Sequence, residues 1–299
     1  MALLNHGENA TFAVTDSKRR KFVLRIHRTG YHSNDAILQE LYWLQHLREL
    51  DALSVPRPIA AKTGEWLTTV ASPHTGDTRT CVLFEWTKGR FAHHRLCPRH
   101  FGALGSYLGK LHFHSGKVPY QHRMYWNSEG LLGRRPTFGS LDRIVGINPA
   151  DQNAIIEFRK HYLRRLRTYE NRCPIRLGLI HADPHFGNVL FDQGHPALID
   201  FDDCGWGFFV YDLAVVLVSA DSLRLNHRLN FSRCADKLLD GYAKTAELNQ
   251  LDLTALDALT AARRLTMLGW LNSRADNPRI RKALPERVTK ALDWLRRKN

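Results

Sequence analysis

The chain of 299 residues reads as an α+β protein in two lobes: a small antiparallel β-rich N-lobe with one helix, then a larger, mostly helical C-lobe. Three observations predict this. Short β-prone runs surround a single helical stripe in residues 1–86. After Glu85-Trp-Thr-Lys-Gly89 the apolar spacing changes to that of helices. One hairpin-like segment, ending at Asp202, interrupts the helices with a dense set of carboxylates and histidines.

In the N-lobe, Thr11–Val14 and Lys21–Ile26 flank Asp16-Ser-Lys-Arg19, the pattern of an antiparallel hairpin. Ile37, Leu41, Leu44 and Leu47 recur at helical spacing and predict a helix over 34–50, with Ser33 or Asn34 as its N-cap. Val55-Pro-Arg-Pro58 ends that pattern, and β-prone runs follow at 65–70 and 80–84. In the C-lobe, helices are expected at 101–114, 151–169, 212–220, 228–244, 253–271 and 285–297. Asp212, just before an apolar helical run, reads as an N-cap. Residues 115–150 form a long irregular stretch carrying Tyr125, Trp126 and Phe138. Long stretches of that kind are commonly functional, although buried aromatic packing is the competing reading.

Composition excludes several classes. Hydrophobic residues make up 43% and charged residues 24%, which is ordinary for a globular protein. No apolar run reaches the roughly 18 residues of a membrane span. MALLNHGENATFAV has no basic n-region followed by an apolar h-region, so a secretory signal is not expected. Five scattered cysteines without a C-x-x-C read as free thiols of a cytoplasmic protein. The formal charge is +14, from 43 basic and 29 acidic residues. Part of it lies at Arg279–Lys298, where eight Lys/Arg face only Glu286 and Asp293. Leu284, Val288, Ala291, Leu292 and Leu295 give that stretch a docking face, so its basic side reads as solvated or as a binding surface. No nucleic-acid motif accompanies the charge, and dedicated nucleic-acid binding is not expected.

The informative segment is LIHADPHFGNVLF, a turn at Asp192–His195, and PALIDFDD. Two short apolar runs around a Gly-containing turn make a β-hairpin. Paired strands lie roughly 4.8 Å apart, so Asn188 and Asp200 come side by side, with Asp183 on the incoming loop. Two carboxylates and an amide suit Mg²⁺, which takes hard oxygen ligands and usually one or two carboxylates beside phosphate oxygens. His181-x-Asp183-x-x-x-x-Asn188 followed by Asp200 is also the kinase catalytic-loop pattern.

Asn5-His-Gly-Glu-Asn9, Phe22–Arg25, Leu108-Gly-Lys-Leu-His112, His181–Asn188, Ile199–Asp202 and Tyr211-Asp-Leu-Ala214 occur in the order of one family. The chain resembles the aminoglycoside phosphotransferase and choline kinase superfamily, with its protein-kinase-like fold. It is most similar to the stress-response Ser/Thr kinase and homoserine-kinase-like branch. The resemblance implies a nucleotide-binding lobe at 1–86 and a catalytic and acceptor-binding lobe at 87–299. It implies ATP and Mg²⁺ as cofactors, Asp183 as catalytic base, and Asn188 and Asp200 as metal ligands, with Asp202 as a minor metal or water contact. Glu85, Trp86 and Thr87 would form the hinge whose backbone meets adenine. His181 would fix the loop; His185 would either help place the phosphate or serve the loop structurally. The acceptor would be a small-molecule alcohol or a protein Ser/Thr, and Tyr125, Trp126 and Phe138 are candidates for its wall.

Two departures from the pattern matter. Arg25 stands where kinases carry the phosphate-gripping lysine, with Glu40 as its expected helix partner. An arginine holds phosphate bidentately but with a different reach. The phosphate loop at residues 5–11 has a single glycine, Gly7, instead of G-x-G-x-x-G. These departures motivate the alternative of a catalytically weak pseudokinase acting as a nucleotide-gated binding module.

Overall fold

The computed structural model describes residues 1–7, 9–50, 53–71, 76–92, 95–115, 122–227 and 229–298. Its first part is an antiparallel sheet in the order β1-β2-β3-β6-β4, with β5 pairing β6. The strands are β1 (Ala2–His6), β2 (Ala10–Thr15), β3 (Lys21–Ile26), β4 (Pro58–Ile59), β5 (Thr68–Ala71) and β6 (Thr78–Glu85). The β2–β3 turn closes because Asp16 accepts the backbone N–H groups of Lys18 and Arg20 at 2.9 and 2.8 Å. Helix α1 (Asn34–Glu49) lies beside this sheet. Ser33 is its N-cap, its hydroxyl accepting the Ala36 N–H at 3.2 Å. The expected stripe of Ile37, Leu41, Leu44 and Leu47 is fully buried.

The second part is built on α2 (Pro98–Ser115), α4 (Pro149–Arg172), α5 (Phe209–His227), α6 (Phe231–Ala243), α7 (Gln250–Asn272) and α8 (Pro278–Lys298), with a short α3 at Ser128–Leu132. Helices α2 and α6 meet backbone to backbone. A Cβ on Gly105 would fall 2.0 Å from the Leu238 carbonyl oxygen, so only glycine permits the crossing. Two three-stranded sheets cover the helices: β11–β10–β7 and β8–β12–β9. They comprise β7 (Arg90–Phe91), β8 (Met124–Trp126), β9 (Leu177–Ile180), β10 (Val189–Asp192), β11 (His195–Leu198) and β12 (Gly205–Phe208).

The two-part α+β architecture matches the sequence expectation; α2, α4, α5, α7 and α8 run longer than expected, while α1 and α6 are slightly shorter. Helix α5 begins at Phe209 rather than Asp212, and α8 begins at Pro278 and carries Pro285 inside it. The docking face expected of α8 is buried at Leu284, Val288, Ala291, Leu292 and Leu295. The irregular stretch contains β8 and α3, while residues 116–121 lie outside the described set. Trp126 and Phe138 do not line a cleft: Trp126 is fully buried, 4.8 Å from Phe138 and stacked 5.8 Å from Tyr211. Tyr125 is 53% exposed on the opposite face of the same strand. Among the described residues, no helix is long and apolar enough to cross a membrane.

Candidate active site

The hairpin expected from the sequence forms the floor of the site. Strands β10 and β11 pair from Val189 opposite Leu198 to Asp192 opposite His195. Gln193 and Gly194 turn between them at φ 50° and 87°, the geometry of a tight two-residue hairpin. The Ile199 N–H donates to the Asn188 carbonyl at 3.0 Å, so Asn188 and the Asp200 that follows Ile199 are brought together as expected.

The loop before β10 has an unusual backbone. Ala182 has φ 67°, and Asp200 beyond β11 has φ 62°, a left-handed conformation that non-glycine residues seldom adopt and that clusters at functional sites. Asp212 holds this loop. It is not an N-cap: it lies inside the first turn of α5, completely buried, and its carboxylate accepts the N–H groups of His181 at 3.0 Å and Ala182 at 2.8 Å. The His112 imidazole lies 3.1 Å from the same carboxylate. The residue type was legible, but its partners 30 positions earlier were not. His181 joins both arms of the hairpin: its Nδ1 accepts the Asp183 N–H at 3.2 Å, leaving Nε2 to donate to the Ile199 carbonyl at 3.1 Å. Burial lowers its pKa, consistent with that neutral tautomer.

Asp183 points away from this scaffold. Its carboxylate pairs with Arg263 of α7, lies 3.3 Å from His185 Nε2, and lies 3.4 Å from the Asn188 amide nitrogen. Burial would raise its pKa, but the Arg263 guanidinium and His185 hold it down at about 2. The same carboxylate raises the pKa of His185 against the effect of burial. Arg263 was missed by sequence reasoning, because α7 gives no local sign that one of its arginines turns inward. It is 5% exposed, beside the Tyr211 hydroxyl.

Above the hairpin, Arg25 of β3 and Glu40 of α1 form a buried pair, with Arg25 Nη2 2.8 Å from both Glu40 oxygens. The partner expected from the sequence is therefore the one that Arg25 meets. Arg25 Nη1 reaches toward Asp200 at 3.8 Å and Asp202 at 3.9 Å; against burial, Glu40 and then these two carboxylates raise the Arg25 pKa. Asp202 does not face the cleft. Its carboxylate is buried among Arg25, His27 Nδ1 at 3.7 Å and His32 Nε2 at 3.7 Å. Asp202 thus belongs to a buried polar cluster with Arg25, His27 and His32 rather than to the cleft lining. Asp203, also missed, accepts the Tyr31 hydroxyl at 2.7 Å and so ties the β3–α1 loop to the C-lobe. Burial and the neighbouring Asp183 and Asp202 push its carboxyl up to about 8. Arg123 completes the junction: it is buried and donates to the carbonyls of Ala36 in α1 and of Phe201, Asp202 and Cys204 after β11.

Between the lobes lies a cleft of about 680 Å³. Arg25, Glu85, Trp86, Thr87, Asn188 and Asp200 all border it, so the structure brings these sequence-selected residues around one cavity. Val23, Phe84, Leu190 and Ile199 give it apolar walls. Gly89 has φ 124°, and a Cβ there would fall 3.2 Å from the Phe191 carbonyl, so glycine suits both the backbone and the space. Gly7 lies in the β1–β2 turn; its N–H donates to the Asn9 carbonyl, and Glu8 is outside the described residues.

The donors at the cleft wall suit a hard divalent cation. The Asn188 amide nitrogen donates to the Asp183 carbonyl at 3.0 Å, which turns its oxygen away from that bond. Asp200 keeps 47% side-chain exposure on the cleft. Burial in the cleft and the nearby Asp202 carboxylate push it up to about 6 despite Arg25, a repulsion that a cation would relieve. An amide oxygen and a carboxylate at one cleft wall fit Mg²⁺. His32, Asp202 and Asp203 form a second group with ligand atoms within 4.8 Å of one another.

Comparison with known proteins agrees with this architecture. Over 200 residues the chain is 28% identical to the amicoumacin kinase of Bacillus subtilis (strain 168), covering 66% of this chain and 56% of that protein. Over 296 residues it is 28% identical to stress response kinase A of Escherichia coli (strain K12), covering 98% of this chain and 83% of that one. A solved microcompartment-associated aminopropanol kinase superposes with a TM-score of 0.83 at 30% identity, over 97% of this chain and 89% of that one. The fold is protein-kinase-like. The model of the phosphotransferase enzyme family matches residues 2–248, and the chain belongs to that family.

Proposed function

We propose that the protein is an ATP-dependent phosphotransferase that moves the γ-phosphate to a hydroxyl of a small molecule or of a protein Ser/Thr. One observation carries the reading: Asn188 and Asp200 border the cleft together with Arg25, which Glu40 locks, and the Asp183 carboxylate lies 3.4 Å from the Asn188 amide nitrogen. Residues 1–86 act as the nucleotide lobe and 87–299 as the catalytic and acceptor lobe. Adenine lies between Val23, Phe84 and Leu190, with the backbone of 85–87 as its hydrogen-bonding edge. Arg25 meets the phosphates; Glu40 fixes its guanidinium and leaves Nη1 turned toward the Asp200 side. Asn188 and Asp200 would hold Mg²⁺, which would supply charge neutralisation at the phosphates.

Asp183 receives the acceptor proton. Arg263 and His185 keep it ionised and aimed, and Asp212 fixes the backbone that carries it. Most of such catalysis is positioning, which suits a carboxylate whose basicity is low but whose geometry is set from four directions. The test is γ-phosphate transfer from Mg-ATP across candidate alcohols and Ser/Thr peptides. Asp183→Asn should lower kcat roughly 10²–10⁴-fold with the fold intact, and Asp200→Ala should abolish metal dependence. Full activity in Asp183→Asn would remove this reading. Mg-ATP binding without turnover in the unmodified protein would favour the pseudokinase.

A further inference from the structure

A second groove opens on the far side of the catalytic loop. It starts at His185–Gly187 and runs between α5, α7 and α8 to Trp294 and Arg297, with a volume of about 840 Å³. Two of its lining residues, His185 and Arg263, are the partners of the Asp183 carboxylate, so the groove begins at the proposed base. Its floor is apolar, with Met267, Leu271, Trp270 and Trp294 among the side chains that form it.

The rim is cationic. Arg264, Arg287, Lys290 and Arg297 border the groove against Asp221 and Asp293. Arg264 is balanced by Asp221 at 2.5 Å and Lys290 by Glu286 at 2.5 Å. Arg287 and Arg297 have no ion pair among the described residues and project from the exposed side of α8. The Arg264 guanidinium sits 4.4 Å above the Trp294 ring, which stiffens the wall between floor and rim. A groove lined this way repels a polycation and attracts an anion.

Size narrows the class further. At about 30 Å³ per water-sized group, an amino alcohol of five heavy atoms fills roughly 150 Å³ and would leave most of the groove empty. Along α7 the lining runs from Arg263 to Leu271, which at 1.5 Å per residue is about 12 Å. An extended peptide covers that distance in about four residues.

We infer that the groove binds an acidic peptide segment. A serine or threonine meets Asp183, and Asp or Glu residues a few positions along the chain meet Arg287 and Arg297. This deepens the phosphotransferase reading and rests on it for the identity of the hydroxyl. The step forms a bond between the hydroxyl oxygen and the γ-phosphorus and breaks the bond to the β–γ bridging oxygen, releasing ADP. The hydroxyl proton passes to Asp183.

The experiment measures binding and transfer separately. Fluorescein-labelled peptides with one serine flanked by glutamates, by glycines or by lysines are titrated by anisotropy at low and high salt. The same peptides, a small amino alcohol and a single-stranded oligonucleotide are then offered in Mg-ATP transfer and competition assays. The glutamate peptide should bind about tenfold or more tightly than the glycine peptide, with a difference that shrinks in salt. The double variant Arg287→Glu/Arg297→Glu should erase that preference through KM, and its melting curve reports whether the fold is kept. Charge-neutral Arg287→Gln/Arg297→Gln should give an intermediate preference, separating a local charge effect from misfolding.

Equal or tighter binding of the glycine or lysine peptide overturns the proposal, as does displacement of the glutamate peptide by the oligonucleotide at lower concentration. Transfer to the amino alcohol without binding of the glutamate peptide removes the groove assignment and keeps the phosphotransferase. Binding that depends on Arg287 and Arg297, with no transfer to any acceptor, keeps the groove as a peptide site and removes the phosphotransferase.

Discussion

Arg263, eighty residues after Asp183 in the chain, places its guanidinium against the Asp183 carboxylate, where only 6% of the arginine side chain is exposed. A buried cation beside a carboxylate lowers that carboxylate's pKa and fixes its rotamer at once. The pair thus sets both the charge and the direction of the proposed base.

Replacing Arg263 with leucine should therefore raise the pKa of Asp183 from about 2 toward ordinary carboxylate values. The acidic limb of the kcat/KM–pH profile should move to higher pH, with kcat roughly 10²-fold lower because the carboxylate is no longer aimed. Arg263→Lys should restore part of the charge effect and less of the geometry. An unmoved acidic limb in the leucine variant would show that Asp183 is not the titrating group.

Asp212 offers a stability prediction. Asp212→Ala leaves the N–H groups of His181 and Ala182 without their buried acceptor. Each orphaned donor costs about 1–3 kcal/mol, and Ala182 loses the bond that offsets its left-handed backbone. A fall in Tm together with faster amide exchange in the 181–188 loop is expected. A fall in Tm without loop exchange would indicate a general packing defect instead.

The Arg25–Glu40 pair should behave differently toward its two partners. Glu40→Ala strands a buried guanidinium and should destabilise by about 3–5 kcal/mol. Arg25→Lys keeps the charge but makes only one contact to Glu40 at a time, so its main effect should be weaker nucleotide binding. Denaturant unfolding and nucleotide titration separate the two outcomes.

His27 and His32 predict an acid-side loss of stability. Burial, with Arg25 and Arg123 nearby, depresses their pKa values to about 3 and about 4. Both are neutral in the fold, while the unfolded chain takes up protons near pH 6.5. The unfolded state then binds more protons, so their contribution is full above pH 6.5 and is lost as pH falls toward 4. The midpoint of urea unfolding should drop across that window. The double variant His27→Gln/His32→Gln should show a shallower pH slope, whatever its absolute stability.

Much of the site was legible because its parts are local. Asn188 and Asp200 are joined by one short hairpin, and period-2 pairing alone sets them side by side. Residues 85–87 were expected as a hinge from the family resemblance, and Glu85, Trp86 and Thr87 border the cleft. The Arg25–Glu40 pair could be expected because a carboxylate within an apolar helix stripe needs a partner. Arg263, Asp203 and Arg123 left no such local trace: their partners are 80 residues or so distant in sequence, or lie on the other lobe. Asp212 was misread for the same reason, since an acidic residue at a helix start has the same local pattern whether it caps the helix or reaches inward to another loop.

By itself, the sequence determined the α+β division and the hairpin that sets Asn188 beside Asp200. Those features follow from apolar periodicity, turn chemistry and the spacing of one motif, all of which act over a few residues. Only the tertiary structure decided which charges pair inside the protein and where unpaired cations remain. That outcome depends on how α7 and α8 pack against the catalytic loop, where burial makes each charge find a partner or turn outward.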